Sequence, residues 1–252
     1  MRFTHLIYLL FFFLLLHCKN SDVQLSKIEG KQIQVTDKLE LDSEIDQYIA
    51  PYREHIQKDL DSIIAISPKT YDKTDGELNT ALGNLMADIA YEQANPIFLK
   101  RTGHNIDMVL LNYGGIRSNL PKGAITKGTA FKLMPFENSL VVAAIKGNQV
   151  NDLVNYLVKA RKAHPISKLQ ITVDKNNTLV ASKIDGAPID ADKTYYVATN
   201  DYLYQGGDSM TFFQPNENLY TLDYKIRNTL IDYFMKVDSI SPVRDDRFIK
   251  IN

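Results

Sequence analysis

Between residues 38 and 252 the chain interleaves short apolar runs of strand length with helical patterns, and one pair of runs is joined by Lys175-Asn176-Asn177. A short polar connection joins antiparallel neighbours, whereas parallel neighbours need a long crossover, usually a helix. Both kinds are present, so the expectation is α+β, with a mixed sheet rather than a purely parallel one.

The pattern predicts these elements. Ile45, Tyr48, Ile49, Tyr52, Ile56, Leu60 and Ile63 recur at helical steps, with Pro51 kinking that helix or marking its start. Leu78, Leu82, Leu85, Met86 and Ile89 share a second helical face. Strands are expected at 107–112, 139–145, 169–173, 178–184, 194–199 and 247–251, and helices at 149–160 and 224–237. From Lys38 onward no linker is long or biased enough to mark a second domain, so 38–252 reads as one domain.

The N-terminus reads as an address. Leu6 to Leu16 is an unbroken apolar run behind Arg2, too short to span a bilayer and of the length of a signal-peptide core. Cys18 follows almost at once, so residues 1–18 resemble a bacterial lipoprotein signal, with acylation at Cys18. His17 departs from the small residue usual there, and an ordinary secretory signal with an incidental cysteine is the alternative. Residues 19–37 are polar and read as a tether. Lipid chains would hold an otherwise soluble domain at a membrane surface of the bacterial cell envelope, periplasmic or surface-facing.

Composition removes several classes of function. With 29 basic and 30 acidic side chains there is no basic stripe, so a nucleic-acid partner is not expected. The single cysteine rules out an intramolecular disulfide. Five histidines, two of them in the first 17 residues, and the absence of H-E-x-x-H, C-x-x-C and D-x-H leave no expected metal site.

Three segments place glycine, amide and aromatic residues just beyond an apolar element. Asn112-Tyr113-Gly114-Gly115-Ile116-Arg117 combines a sharp turn with a planar cation. Met134-Pro135-Phe136-Glu137-Asn138 precedes the strand at Ser139. Thr199 to Asp208 runs from a strand into Tyr202, Gly206-Gly207 and a carboxylate. Each has a plain reading: a turn, a core phenylalanine, and an Asx-turn or helix cap at Asp208.

Taken in order with Leu82-Gly83-Asn84, these segments resemble the nucleotide-binding C-terminal domain of the 5′-nucleotidase/UDP-sugar hydrolase family, from about Thr70 to Phe213. The resemblance implies a layered α/β sandwich. It also implies that Phe136 and Tyr202 sandwich a nucleobase, and that Asp208 takes the ribose hydroxyls. Asn112 and Asn138 would reach a ring or sugar edge, and Arg117 would lie at the ribose or phosphate end. Gly114, Gly115, Gly206 and Gly207 would keep backbone clear of the ligand. Tyr202 replaces a usual phenylalanine and Tyr113 a usual glycine. The arginine that family members often place before Gly83 is missing, with Lys69 or Lys73 as candidate substitutes.

In that family, hydrolysis takes place in an N-terminal two-metal phosphoesterase domain, and none is seen ahead of residue 38. The expectation is therefore a split enzyme. This chain would recognise nucleotides without cofactor or catalytic residue of its own, and divalent metals would sit on a separate polypeptide in nucleotide catabolism. The alternative is a stand-alone nucleotide- or nucleoside-binding lipoprotein.

Overall fold

The computed structural model describes residues 25–36 and 38–251. By compactness the chain divides into residues 1–48 and 49–252. The signal and Cys18 expectations lie outside the described residues; 25–36 are exposed and without regular structure.

The elements, in chain order, are α1 (Ser43–Leu60), β1 (Ile63–Ser67), α2 (Ala81–Thr102), β2 (Met108–Leu110), β3 (Gly123–Thr126), α3 (Lys127–Leu133), β4 (Ser139–Lys146) and α4 (Gly147–Ala160). They continue as β5 (Ile166–Ser167), β6 (Leu169–Val173), β7 (Leu179–Ile184), β8 (Ala187–Pro188), β9 (Thr194–Asn200), α5 (Asp201–Tyr204), β10 (Asn218–Lys225), α6 (Ile226–Phe234) and β11 (Phe248–Lys250).

The centre is a five-stranded sheet in the order β10-β4-β9-β2-β5. Only β2 and β9 run parallel there; the other pairings are antiparallel. Its inner strands bury side chains on both faces because both faces are covered. In β2, Met108 and Leu110 face one core, whereas Val109 faces the other. In β4, Leu140 and Val142 oppose Ala143 and Ile145 in the same way. One core is closed by α2 and α6 through Leu82, Met86, Phe98 and Phe234; the other by α4 and β6 through Val150, Leu153, Leu157 and Ile171. This is the expected mixed α+β sandwich. A second sheet, β11-β6-β7-β8, contains the hairpin expected at Lys175-Asn176-Asn177. There Asp174 accepts from the amides of Asn176 and Thr178 at 2.8 Å each, and Asn177 takes φ 61°.

Several expectations need correction. Pro51 lies inside α1 rather than at its start. The helix is opened by Asp42, whose Oδ1 accepts from the Glu44 and Ile45 amides at 3.0 and 3.2 Å. Ile63 belongs to β1, because the run Ile63-Ile64-Ala65-Ile66 has strand propensity and Ser62 turns the chain before it. Leu78 precedes α2, whose N-cap is Thr80, accepting from the Gly83 amide at 3.0 Å. That helix continues through Pro96 to the left-handed Gly103. Tyr224 lies in β10, an edge strand with one buried residue, and α6 begins only at Ile226.

The step from β4 into α4 requires glycine. A Cβ on Gly147 would meet the Asp190 carbonyl oxygen at 1.9 Å.

Candidate functional site

Strand direction brings the three motif segments together. Met108 and Val109 of β2 pair in parallel with Val197 and Ala198 of β9, so both strands leave the sheet at one end. β4 is antiparallel to β9, with Leu140 opposite Asn200, so β4 enters at that end. The segments after β2, before β4 and after β9 therefore share one rim.

Amide side chains lock this rim. Asn200 Nδ2 donates to Asn112 Oδ1 at 3.3 Å, and Asn200 Oδ1 caps α5 by accepting from the Leu203 amide at 2.7 Å. Asn138 Nδ2 donates to Asp201 Oδ1 at 2.9 Å, and the Ser139 amide donates to Asp201 Oδ2 at 3.3 Å. Gly115 is buried behind Asn112; a Cβ there would stand 3.1 Å from Asn112 Oδ1. Gly114 is exposed at the turn.

Two rings stand out from this rim. Phe136 is 41% exposed and Tyr202 44%, so Phe136 is not a core residue. The Arg117 guanidinium carbon lies 5.8 Å from the centre of the Phe136 ring. Tyr202 is pinned at its hydroxyl, which donates to Asp208 Oδ1 at 3.0 Å and accepts from the Asp208 amide at 3.2 Å. Gly207 lies against the same ring, where a Cβ would come within 2.5 Å of it. Asp208 holds left-handed backbone, φ 52°, inside this turn, and it caps no helix with its side chain.

The Phe136 segment has an ionic anchor that sequence spacing does not reveal. The Arg227 side chain, 7% exposed, pairs with Glu137 and lies 4.1 Å from the centre of the Phe131 ring. Its Nη1 also donates to the Phe136 carbonyl at 3.4 Å. Hydrogen bonds from Lys225 and then Arg227 pull the Glu137 carboxyl down to about 2. Of the two lysines considered as a replacement cation, Lys73 reaches this region. It donates to the Ile116 carbonyl at 2.8 Å and sits 4.6 Å from the Tyr113 ring centre, whereas Lys69 lies over Tyr71.

His164, 5% exposed, backs the glycine turn, accepting from the Tyr113 amide at its Nδ1 at 3.2 Å. Burial pushes its pKa down from 6.5 to about 4, against the opposing pull of Asp208 and the Leu111 carbonyl. The unfolded chain therefore takes up this proton first. Stability is expected to be level above pH 6.5, to fall as pH drops toward 4, and to level off below. The loss across that window is roughly 3 kcal/mol. Denaturant unfolding of the parent and His164→Asn at pH 7.5 and 4.5 checks this: the two should converge at the lower pH, and parallel curves would refute it.

The Leu82-Gly83-Asn84 segment does a different job. Asn84 is buried and its amide donates to Val243 O and Asn79 Oδ1 at 3.2 Å each, tying α2 to the chain before β11. Among the described residues no group of three or more His, Cys, Asp and Glu is placed to hold a metal ion, and no helix is long and apolar enough to cross a membrane.

A sheet covered on both faces thus carries two exposed rings, a pinned carboxylate and amide-locked segments together at one strand end, a place where α/β sheets commonly present small-molecule sites. Residues 63–215, more than half of the chain, match the family model described as 5′-nucleotidase, C-terminal domain, and the chain belongs to that family. It is 33% identical over 167 residues to the cell wall protein Lmo0130 of Listeria monocytogenes, covering 60% of this chain and 20% of that protein. It is 32% identical over 164 residues to the trifunctional nucleotide phosphoesterase protein YfkN of Bacillus subtilis, covering 58% of this chain and 11% of that one. The chain thus spans a fifth or less of the length of these two relatives. Among solved structures, the 5′-nucleotidase precursor of Thermus thermophilus has the same fold, with a TM-score of 0.69 at 22% identity over 82% of this chain and 43% of that one.

Proposed function

We propose that the chain is the nucleotide-recognition component of a 5′-nucleotidase/UDP-sugar hydrolase-type phosphohydrolase. A nucleobase would stack between Phe136 and Tyr202, the ribose hydroxyls would bond to Asp208, and Arg117 and Lys73 would supply cations toward the phosphate end. The observation that carries this is the pair of exposed rings at one rim, with a hydrogen-bonded carboxylate fixed beside one of them. Core packing does not account for half-exposed aromatics at the mouths of three locked segments. Hydrolysis would take place at a two-metal site on a separate polypeptide, where such metals supply a hydroxide and clamp the transferring phosphoryl group. This chain's part is positioning, which can contribute several kcal/mol to rate.

The experiment is phosphate release from a panel of nucleotides, with divalent metal, by a candidate two-metal phosphoesterase polypeptide with and without this chain. Adding the chain should raise kcat/KM. Nucleotide binding with no gain in rate would favour the stand-alone binding protein, and neither binding nor gain would refute both readings. Attachment to the envelope through Cys18 is part of the proposal, in keeping with the cell wall name carried by Lmo0130. Cys18→Ser should then leave the membrane fraction, and retention there would count against acylation.

A further inference from the structure

Where β10 passes into α6, three consecutive residues hold three consecutive residues of the Phe136 segment. Arg227 Nη1 donates to the Phe136 carbonyl at 3.4 Å, and the Ile226 amide donates to the Asn138 carbonyl at 3.0 Å. Between them, the Lys225 and Arg227 side chains pair with the Glu137 carboxylate. β10 breaks register just ahead, between Thr221 and Lys225, and Asp223 there takes φ 54°. Such a bulge re-aims the side chains beside it. The hold extends to the second ring. Asn138 Nδ2 donates to Asp201 Oδ1 at 2.9 Å, and the same oxygen accepts from the Tyr202 amide at 2.8 Å. A chain of bonds thus runs from the β10–α6 junction through residues 136–138 to the backbone of Tyr202.

Stability alone is a poor reason for Arg227. The side chain is buried, its Nε has no hydrogen-bond partner, and its carboxylate partner Glu137 is largely exposed. A buried cation with a donor left unmet gains little net stability. Departures of this kind are expected where a group serves a site. What the guanidinium does supply is geometry, as a rigid planar fork with the Phe131 ring centre 4.1 Å away and its N–H groups on the Phe136 segment. We infer that Arg227 is a positioning residue, which fixes Phe136 relative to Tyr202 and so sets the gap that a flat ligand enters. It acts through the Phe136 ring rather than on the ligand, and on the nucleoside reading above that gap admits the base.

The test is a double-variant cycle on the full chain, read by calorimetry with adenosine as the probe. Arg227→Met should weaken binding roughly tenfold, part of what one stacked ring face contributes. In a Phe136→Ala background the same change should lose no further affinity, because the ring through which it acts is gone. A merely structural role would lower affinity by the same factor in both backgrounds; that result, or no loss in either, overturns the proposal. Glu137→Gln breaks the ion pair from its exposed side and should repeat the pattern with a smaller factor, which keeps the test open if Arg227→Met does not fold. A ligand-free measurement separates this role from the nucleoside reading. With a fluorinated phenylalanine in place of Phe136, the fluorine resonance should narrow in the folded variants as the ring gains freedom. Narrowing in a chain whose parent binds no adenosine upholds the positioning role and refutes the nucleoside reading, whereas an unchanged line overturns the role whatever the chain binds.

Discussion

Replacing Phe136 and Tyr202 together by alanine is expected to abolish measurable nucleoside binding in a variant that still folds. Both rings are exposed by about two-fifths, so about three-fifths of each is buried and the double variant also loses some stability, which thermal unfolding reads separately. Stacking is worth roughly 1–3 kcal/mol per ring face, so the pair would account for about 2–6 kcal/mol, a 30-fold or greater loss of affinity. Gly207→Ala should produce part of the same loss, because its Cβ would enter the space of the Tyr202 ring, 2.5 Å away. Fluorescence or calorimetric titration with adenosine measures both variants against the parent. Undiminished affinity in the double variant would remove the aromatic sandwich from consideration.

Arg247→Met is expected to give the largest loss of stability. The guanidinium donates to both Asp88 carboxylate oxygens at 2.9 Å, to Asp245 Oδ2 at 2.7 Å and to the Ile166 carbonyl at 2.7 Å. Burial opposes its charge, yet Asp245 and Asp88 raise its pKa overall, and the side chain is only 14% exposed. Methionine would fill the space but leave the Ile166 carbonyl without this donor, and the half-exposed Asp88 and Asp245 with Ser167, Asn84 and solvent. Losing charge-assisted hydrogen bonds of this kind costs roughly 1–3 kcal/mol. For a domain of this size that is a melting temperature lower by about 5 °C. Thermal unfolding followed by circular dichroism reads the change, and a shift under about 2 °C would show that the cluster is solvated and contributes little.

Much of the architecture is legible in the sequence because the strands at its centre are covered on two sides. Continuous apolar runs such as Met108-Val109-Leu110 and Leu140 to Ile145 leave few alternatives, and the Asn177 turn marks its own hairpin. β10 is not legible, because an edge strand with one buried residue has no run to read. The ends of α2 escape the pattern because Thr80 and Gly103 set them rather than the apolar stripe. At the rim, Phe136, Tyr202, Asp208 and Arg117 are visible as motif residues, each set beside a turn. His164 and Arg227 are not, since their partners Tyr113 and Glu137 lie 51 and 90 positions away. Local spacing carries no trace of such contacts; only the crossing of strands creates them. Asn84 shows the reverse case, a motif residue whose place is beneath the C-terminal segment and not in the site.

The amide bridges Asn200 to Asn112 and Asn138 to Asp201 have an evolutionary consequence. They splice three chain segments into one frame, so a change of length in any segment would break a bridge to another. Diversification at this rim is therefore confined to exchanging the groups mounted on the frame, and new ligand preferences should arise by point substitution at places such as 113, 136 and 202 rather than by insertion.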